Sequence, residues 1–211
     1  MKIFKNREEA GKLLAELLKS YNFDEKNTFI LAIPRGGVPV AKEVSKILNI
    51  PFSLVITKKL APLAEPEAAF GAIAPSGIYY IDENLMRYMG VDEEELKTIK
   101  EKATTEVKRR VEKYLQNKEP DIKGKNVIII DDGIATGYTA MVAGMYAKSK
   151  GAKKIYLAVP VCPVDSIGRA KKVFDEVICL YPVETPFFAV GSYYQDFHQL
   201  SDEEMFRIIN G

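Results

Sequence analysis

Two adjacent carboxylates, Asp131 and Asp132, follow an unbroken run of β-branched residues, Val127 to Ile130, and open a small-residue stretch, Gly133-Ile-Ala-Thr-Gly-Tyr-Thr139. Carboxylates accept hydrogen bonds from hydroxyls, and a short Gly/Thr loop entering a helix leaves backbone N–H groups free for an anion. A bare phosphate beside two carboxylates would be repelled. A phosphorylated sugar removes the conflict, because its vicinal hydroxyls donate to Asp131 or Asp132. Its phosphate, about a ribose length away, then sits on the amides and hydroxyls of Thr136 to Thr139. Residues 127–140 therefore read as a ribose 5-phosphate cradle, with Ala135, Thr136, Gly137, Tyr138 and Thr139 around the phosphate.

A second group of residues suits another anion. Pro34-Arg35-Gly36-Gly37 follows the apolar run Thr28 to Ile33. Glycines admit close backbone approach, and arginine presents a forked cation that matches phosphate oxygens. Lys58 and Lys59 follow a third apolar run, Phe52 to Thr57, and add point charges.

The elements that must position these groups are strands followed by helices. The runs at 28–33, 52–57 and 127–130 lack polar alternation, as expected of parallel strands buried on both faces. Lys154–Pro160 and Glu176–Leu180 continue the series, and helices are expected over 7–20, about 38–48, about 140–150 and around 166–173. Asn6 with Glu9 marks the start of the first helix in the manner of a capping box, and Ala10, Leu13, Leu14, Leu17 and Leu18 form its apolar stripe. Alternation of this kind predicts an α/β fold with a doubly wound, mainly parallel sheet, whose ligands lie beyond the carboxyl ends of the strands. Both candidate anion loops fall there.

The sequence signature of an apolar strand, an acidic pair and a Thr/Gly loop resembles that of the type I phosphoribosyltransferases. Ile128 to Thr139 matches it throughout, and the whole chain looks similar to an uncharacterised branch having Pro-Arg-Gly-Gly and an aromatic C-terminal segment. The resemblance implies that Asp131 and Asp132 bind the ribose hydroxyls of phosphoribosyl pyrophosphate and that the 135–139 loop binds its 5-phosphate. Arg35, Gly36, Gly37, Lys58 and Lys59 would bind the pyrophosphate, with Arg35–Gly36 the expected site of a cis peptide. Asp131, Asp132, Arg35 and Lys59 would be catalytic. Mg²⁺ would lie on ribose and pyrophosphate oxygens, reached by Asp131 and Asp132 through ribose or water rather than by direct ligation. The expected reaction transfers the 5-phosphoribosyl group to a nitrogenous acceptor and releases pyrophosphate. The alternative is a regulator that binds phosphoribosyl pyrophosphate or a nucleotide without turnover.

On this reading the chain is one domain over 1–211, with a core at about 20–60 and 120–180. A flexible loop and helical insertion occupy about 58–118, with Pro62 and Pro66 predicting a mobile loop before a hairpin of 69–74 and 78–81. Asp92 and Glu95 open a long helix to about 116, whose single apolar face is expected at a subunit interface. The aromatic stretch at about 183–211 is the expected hood, where Phe187, Phe188, Tyr193, Tyr194 and Phe197, with Ile134, could stack on a base. Ser201 and Glu204 cap a last short helix. His198, the only histidine, defaults to a surface or packing role. Ala135 stands where 6-oxopurine transferases carry an Asp, which disfavours hypoxanthine and guanine. Uracil transferases commonly share Ala-Thr-Gly here, but typically lack the second acid.

With 211 residues, 47% hydrophobic and 28% charged, the chain can bury one sizeable core. Thirty basic and twenty-nine acidic residues give a net charge of +1, which argues against nucleic-acid or anionic-membrane partners. A nucleic-acid module using the 97–113 basic face is correspondingly disfavoured, its lysines being interspersed with Glu. Two cysteines, Cys162 and Cys179, no signal-peptide core and no apolar run near the roughly 20 residues of a membrane span predict a cytoplasmic protein. The family resemblance adds a homodimer.

Overall fold

The computed structural model describes residues 3–211. Its centre is a five-stranded parallel sheet of β1 (Thr28–Ala32), β2 (Phe52–Leu54), β6 (Asn126–Ile130), β7 (Lys154–Pro163) and β8 (Glu176–Val183), in the order β2-β1-β6-β7-β8. The crossover from β1 to β6 passes through the rest of the N-terminal half. The central strand, β6, is covered on both faces. Ile128 and Ile130 pack with Leu14 and Leu18 of α1 (Arg7–Lys19) and with Val40 and Val44 of α2 (Gly37–Leu48). Val127 and Ile129 pack with Met141 and Val142 of α5 (Tyr138–Ser149). Side chains alternate across a strand, so a continuous apolar run feeds both layers at once. Each such isoleucine contributes roughly 1.5–3 kcal/mol of burial.

A second, antiparallel sheet joins β3 (Lys58–Leu60), β4 (Gly71–Ile73) and β5 (Tyr79–Ile81), followed by α3 (Glu83–Tyr88) and α4 (Glu93–Leu115). The 69–81 hairpin matches expectation, but the mobile loop predicted to begin at Lys58 is corrected at its start. Lys58 pairs with Ile73 and Leu60 with Gly71, and Leu60 is fully buried. That pairing is made to residues 11 or more positions away, so the local Pro-rich pattern does not report it. The long helix begins at its Asp92 cap as read. Its apolar residues Ile99, Ala103 and Val107 are buried inside this chain and are not left as a face for a second subunit.

The segment before α1 meets the aromatic segment. Phe4, buried, bridges to Tyr194 of the aromatic segment, and α7 (Asp202–Asn210) closes the fold with the Ser201/Glu204 capping box. The remaining helix, α6 (Val164–Ala170), begins two residues earlier than the sequence suggests and leads to β8. Cys162 and Cys179 are free thiols on neighbouring strands, 2.7 Å apart at Sγ. No described helix is long and apolar enough to cross a membrane.

Candidate active site

Beyond the carboxyl ends of β1 and β6 lies a cavity of about 700 Å³. It brings together Arg35, Gly36, Lys58, Lys59, Asp131, Asp132 and Thr139, residues that the sequence places in three separate stretches. The parallel register that sets Ala32 beside Ile130 aligns the two loops that follow those strands. Gly37 lies beneath the cavity, where a Cβ would stand 2.6 Å from the Ile130 carbonyl oxygen, so the two loops touch through backbone. A Cβ at Gly36 would collide with the Asp132 carboxylate.

The cis peptide of this loop is Pro34–Arg35, one bond before the expected Arg35–Gly36. Gly36 already has helical dihedrals, φ −61° and ψ −35°, as the cap of α2, so the turn out of β1 is completed before it.

The two acids differ sharply. Asp132 is buried, and its Oδ2 accepts from Arg7 Nε at 2.7 Å, while the Asp132 backbone carbonyl accepts from the Tyr194 hydroxyl at 2.6 Å. Asp131 has no Arg or Lys within ion-pair distance among the described residues, and its Oδ1 accepts the Asp132 N–H at 2.8 Å. Burial, then the neighbouring Asp132 charge, pushes the Asp131 carboxyl well above the usual range, with Lys59 opposing. Burial also raises Asp132, opposed by the Arg7 guanidinium.

The phosphate loop is held from outside by its carbonyls. Ser166 Oγ donates to the Ala135 carbonyl, and Arg169 Nη1 donates to that of Thr136 at 2.6 Å. Among the described residues the N–H groups of Ala135, Thr136 and Gly137 meet no backbone acceptor. Gly137, at φ +82°, turns the chain into α5, whose first N–H groups lack intrahelical partners. Such a set of donors suits an anion. Only the backbone of Tyr138 belongs to it, because the Tyr138 ring is buried, stacks on Tyr80 and donates to Asp82 Oδ2 at 3.1 Å. Ile134 is likewise buried, its N–H donating to the Val161 carbonyl, and does not line the cavity.

The aromatic hood is corrected. Tyr194 is core, packed between Phe4 and Phe197 with ring centroids 5.1 and 5.0 Å away, so neither face of it is open to a base. Phe188 stacks on Tyr193 at 5.1 Å, Phe187 projects into solvent, and none of the three lines the cavity. Phe197 is spanned by Arg7, whose Cζ lies 4.0 Å from the ring centroid. The far wall is instead α4, with Ile99, Lys102, Ala103, Glu106 and Arg110, joined by Gln199 and Leu200. Much of the supposed basic face of α4 is also engaged. Arg109 and Arg110 hold Glu106 at about 2, well below an ordinary glutamate, Lys113 pairs with Asp202, and Lys100 covers Tyr79 at 3.6 Å.

Arg7 and the α4 wall carry no motif in the sequence. One weak signal for Arg7 exists: it is a cation in the first turn of α1, where the helix dipole favours acids. His198 is exposed, between Asp196 and Glu204, and touches the site only through its carbonyl, which accepts from Arg7 Nη1 at 3.0 Å. Among the described residues there is no cluster of three or more His, Cys, Asp or Glu that could hold a metal.

Comparison with known proteins agrees with this geometry. The family profile described as the phosphoribosyl transferase domain matches residues 2–196. A Mycobacterium tuberculosis (strain H37Rv) protein provisionally named a phosphoribosyl transferase is 39% identical over 208 residues, which are 97% of this chain and 46% of that protein. The chain thus spans about half the length of the curated relatives it matches. A crystal structure of a Thermus thermophilus protein superposes with a TM-score of 0.79 and 32% identity, covering 99% of this chain and 98% of that one. A Neisseria gonorrhoeae protein crystallised with ppGpp shares the fold at 16% identity and a TM-score of 0.51, covering 100% of this chain and 96% of its own.

Proposed function

The chain belongs to the phosphoribosyl transferase domain family, and from that premise we propose that it transfers the 5-phosphoribosyl group of phosphoribosyl pyrophosphate to a nitrogenous acceptor. The observation that carries the proposal is the single cavity shared by the acidic pair, Thr139, Arg35 and the two lysines. In the reaction the C1–O bond breaks with its electron pair going to pyrophosphate, an acceptor nitrogen supplies the pair for the new C1–N bond, and that nitrogen releases its proton.

Positive charge grows on the ribose ring as the leaving group departs. Asp131 and Asp132 accept the ribose hydroxyls and set negative charge beside it, while Arg35, Lys58 and Lys59 neutralise the pyrophosphate. The free N–H groups from Ala135 to Thr139, with the Thr139 hydroxyl, bind the 5-phosphate. The acceptor would lie against the far wall formed by Ile99, Ala103 and Leu200, with its nitrogen turned toward C1.

The donor set suits Mg²⁺, a hard cation that prefers oxygen ligands. Asp131, a carboxylate at the cavity with no ion-pair partner among the described residues, and Asp132 would hold it through ribose oxygens or water. When bound, Mg²⁺ supplies further charge neutralisation on the pyrophosphate oxygens.

The test is pyrophosphate release from phosphoribosyl pyrophosphate and Mg²⁺ across purine, pyrimidine and pyridine acceptors, with Asp131→Asn as the blank. Release that depends on one acceptor and is lost in the variant is expected. Tight binding of phosphoribosyl pyrophosphate without release for any acceptor would replace the transferase with a regulator on the same fold.

A further inference from the structure

The cation of the pyrophosphate loop is held from a distant part of the chain. Arg35 Nη1 donates to Asp202 Oδ1 at 3.2 Å, 167 residues away, in the first turn of α7. The same carboxylate gathers two groups from the last turn of α4. Tyr114 OH donates to Oδ1 at 2.6 Å, and Lys113 Nζ donates to Oδ2. These donors hold the Asp202 carboxyl at about 2, so it is an anion throughout the working range. Lys113 and Tyr114 fix the carboxylate independently of Arg35, and Asp202 in turn fixes one corner of the guanidinium fork. Arg35 lines the cavity, and of its five N–H donors only that at Nη1 has a described side-chain partner.

We propose that Asp202 is the positioning residue for Arg35, presenting the remaining N–H donors of its guanidinium to the pyrophosphate group of the ligand. The inference rests on the proposed role of Arg35 at the pyrophosphate. It also gives α7 a task that neither the motifs nor the aromatic segment suggests: the C-terminal helix and the end of α4 brace the leaving-group site from behind. A guanidinium held at one corner loses less freedom when it closes a bidentate pair.

Isothermal titration with the two halves of the ligand, pyrophosphate and ribose 5-phosphate, tests this in the wild type, Asp202→Asn, Arg35→Ala and the double variant. Asp202→Asn is expected to weaken pyrophosphate binding about tenfold while ribose 5-phosphate changes less than about twofold. In the Arg35→Ala background Asp202→Asn should add almost nothing, since the two act as one unit. Equal losses for both ligands would mean a merely structural role and overturn the proposal. Unchanged or tighter pyrophosphate binding in Asp202→Asn, with a loss in Arg35→Ala, would also overturn it, tighter binding marking Asp202 as a competitor for the guanidinium. If Arg35→Ala itself leaves pyrophosphate affinity unchanged, the reading of the loop fails, and the proposal falls with it.

Discussion

Arg7 and Asp132, 125 residues apart in the chain, form a buried ion pair with Nε 2.7 Å from Oδ2 and side-chain exposures of 9% and 12%. The pair divides the work of the two acids. Asp132 is fixed by a guanidinium that also holds the His198 carbonyl and caps the Phe197 ring, whereas Asp131 lines the cavity with no ion-pair partner among the described residues. Asp132 is therefore anchored at once to α1 and to the C-terminal segment.

Arg7→Ala should be among the most damaging single changes. It leaves a carboxylate buried without its partner, a loss of roughly 3–5 kcal/mol. Urea denaturation will read this directly. Arg7→Lys keeps the charge but replaces the separate Nε and Nη1 donors with a single ammonium nitrogen, so it should recover only part of the stability and part of the phosphoribosyl pyrophosphate affinity.

Adjacent glycines should fail in different ways. A methyl at Gly36 meets the end of the Asp132 side chain, which Arg7 prevents from moving freely. Gly36→Ala should then cost about tenfold in ligand affinity and also lower Tm, because the Asp132 carboxylate is pushed off its buried partner Arg7. At Gly37 the obstacle is the Ile130 backbone carbonyl at 2.6 Å, which cannot rotate away. Gly37→Ala should cost roughly 1–3 kcal/mol of stability, the usual range for overpacking. Calorimetry and titration on both proteins separate the two patterns.

Much of this organisation can be read from the sequence, and the reason is local. The β6 strand, the acids that end it and the loop before α5 are contiguous, so strand burial, the place of the two acids and the unpaired N–H groups of the loop are all written within 127–140. The caps at Asn6, Asp92 and Ser201 are likewise short-range, and each forms its expected N–H bond. What escapes is made by long-range pairing. Arg7 meets Asp132 only because α1 packs over the ends of the strands, and Lys58 joins a strand only because β4 returns beside it. The aromatic segment misleads for a related reason. Composition announces rings but not their burial, and Tyr194 fills the gap between Phe4 and Phe197 instead of facing a ligand.

Asp131→Asn should raise stability while it harms binding. The folded state disfavours the charged form of Asp131, through burial and the adjacent Asp132, so a neutral isostere removes a penalty. Tm at neutral pH should increase. Phosphoribosyl pyrophosphate affinity should fall roughly ten- to a hundredfold, the scale of a lost hydrogen bond to a charged group. A variant that loses both stability and affinity would show that Asp131 is structural.

The dependence of stability on pH should combine two opposite slopes. Glu106 and Asp202 both titrate near 2 in the folded chain, below their ordinary 4.5 and 3.8, because Arg109 and Arg110 hold the first and Lys113, Tyr114 and Arg35 the second. An acid depressed by folding stabilises above its unfolded value and loses that contribution as pH falls through its folded one, so stability should drop between about pH 4 and pH 2. Asp131 acts the other way. Its raised carboxyl is ionised in the unfolded chain before it ionises in the folded one, so stability should decline as pH rises from about 4 toward its folded value and level off beyond it. Denaturant midpoints measured from about pH 2 to about pH 8 should therefore pass through a maximum on the acid side of neutrality. In Asp131→Asn the upper slope should flatten while the lower one remains, and in Asp202→Asn the lower slope should shrink while the upper one remains. An unchanged profile in Asp131→Asn would mean that Asp131 ionises normally in its cavity and that the asymmetry between the two acids is carried by Arg7 alone.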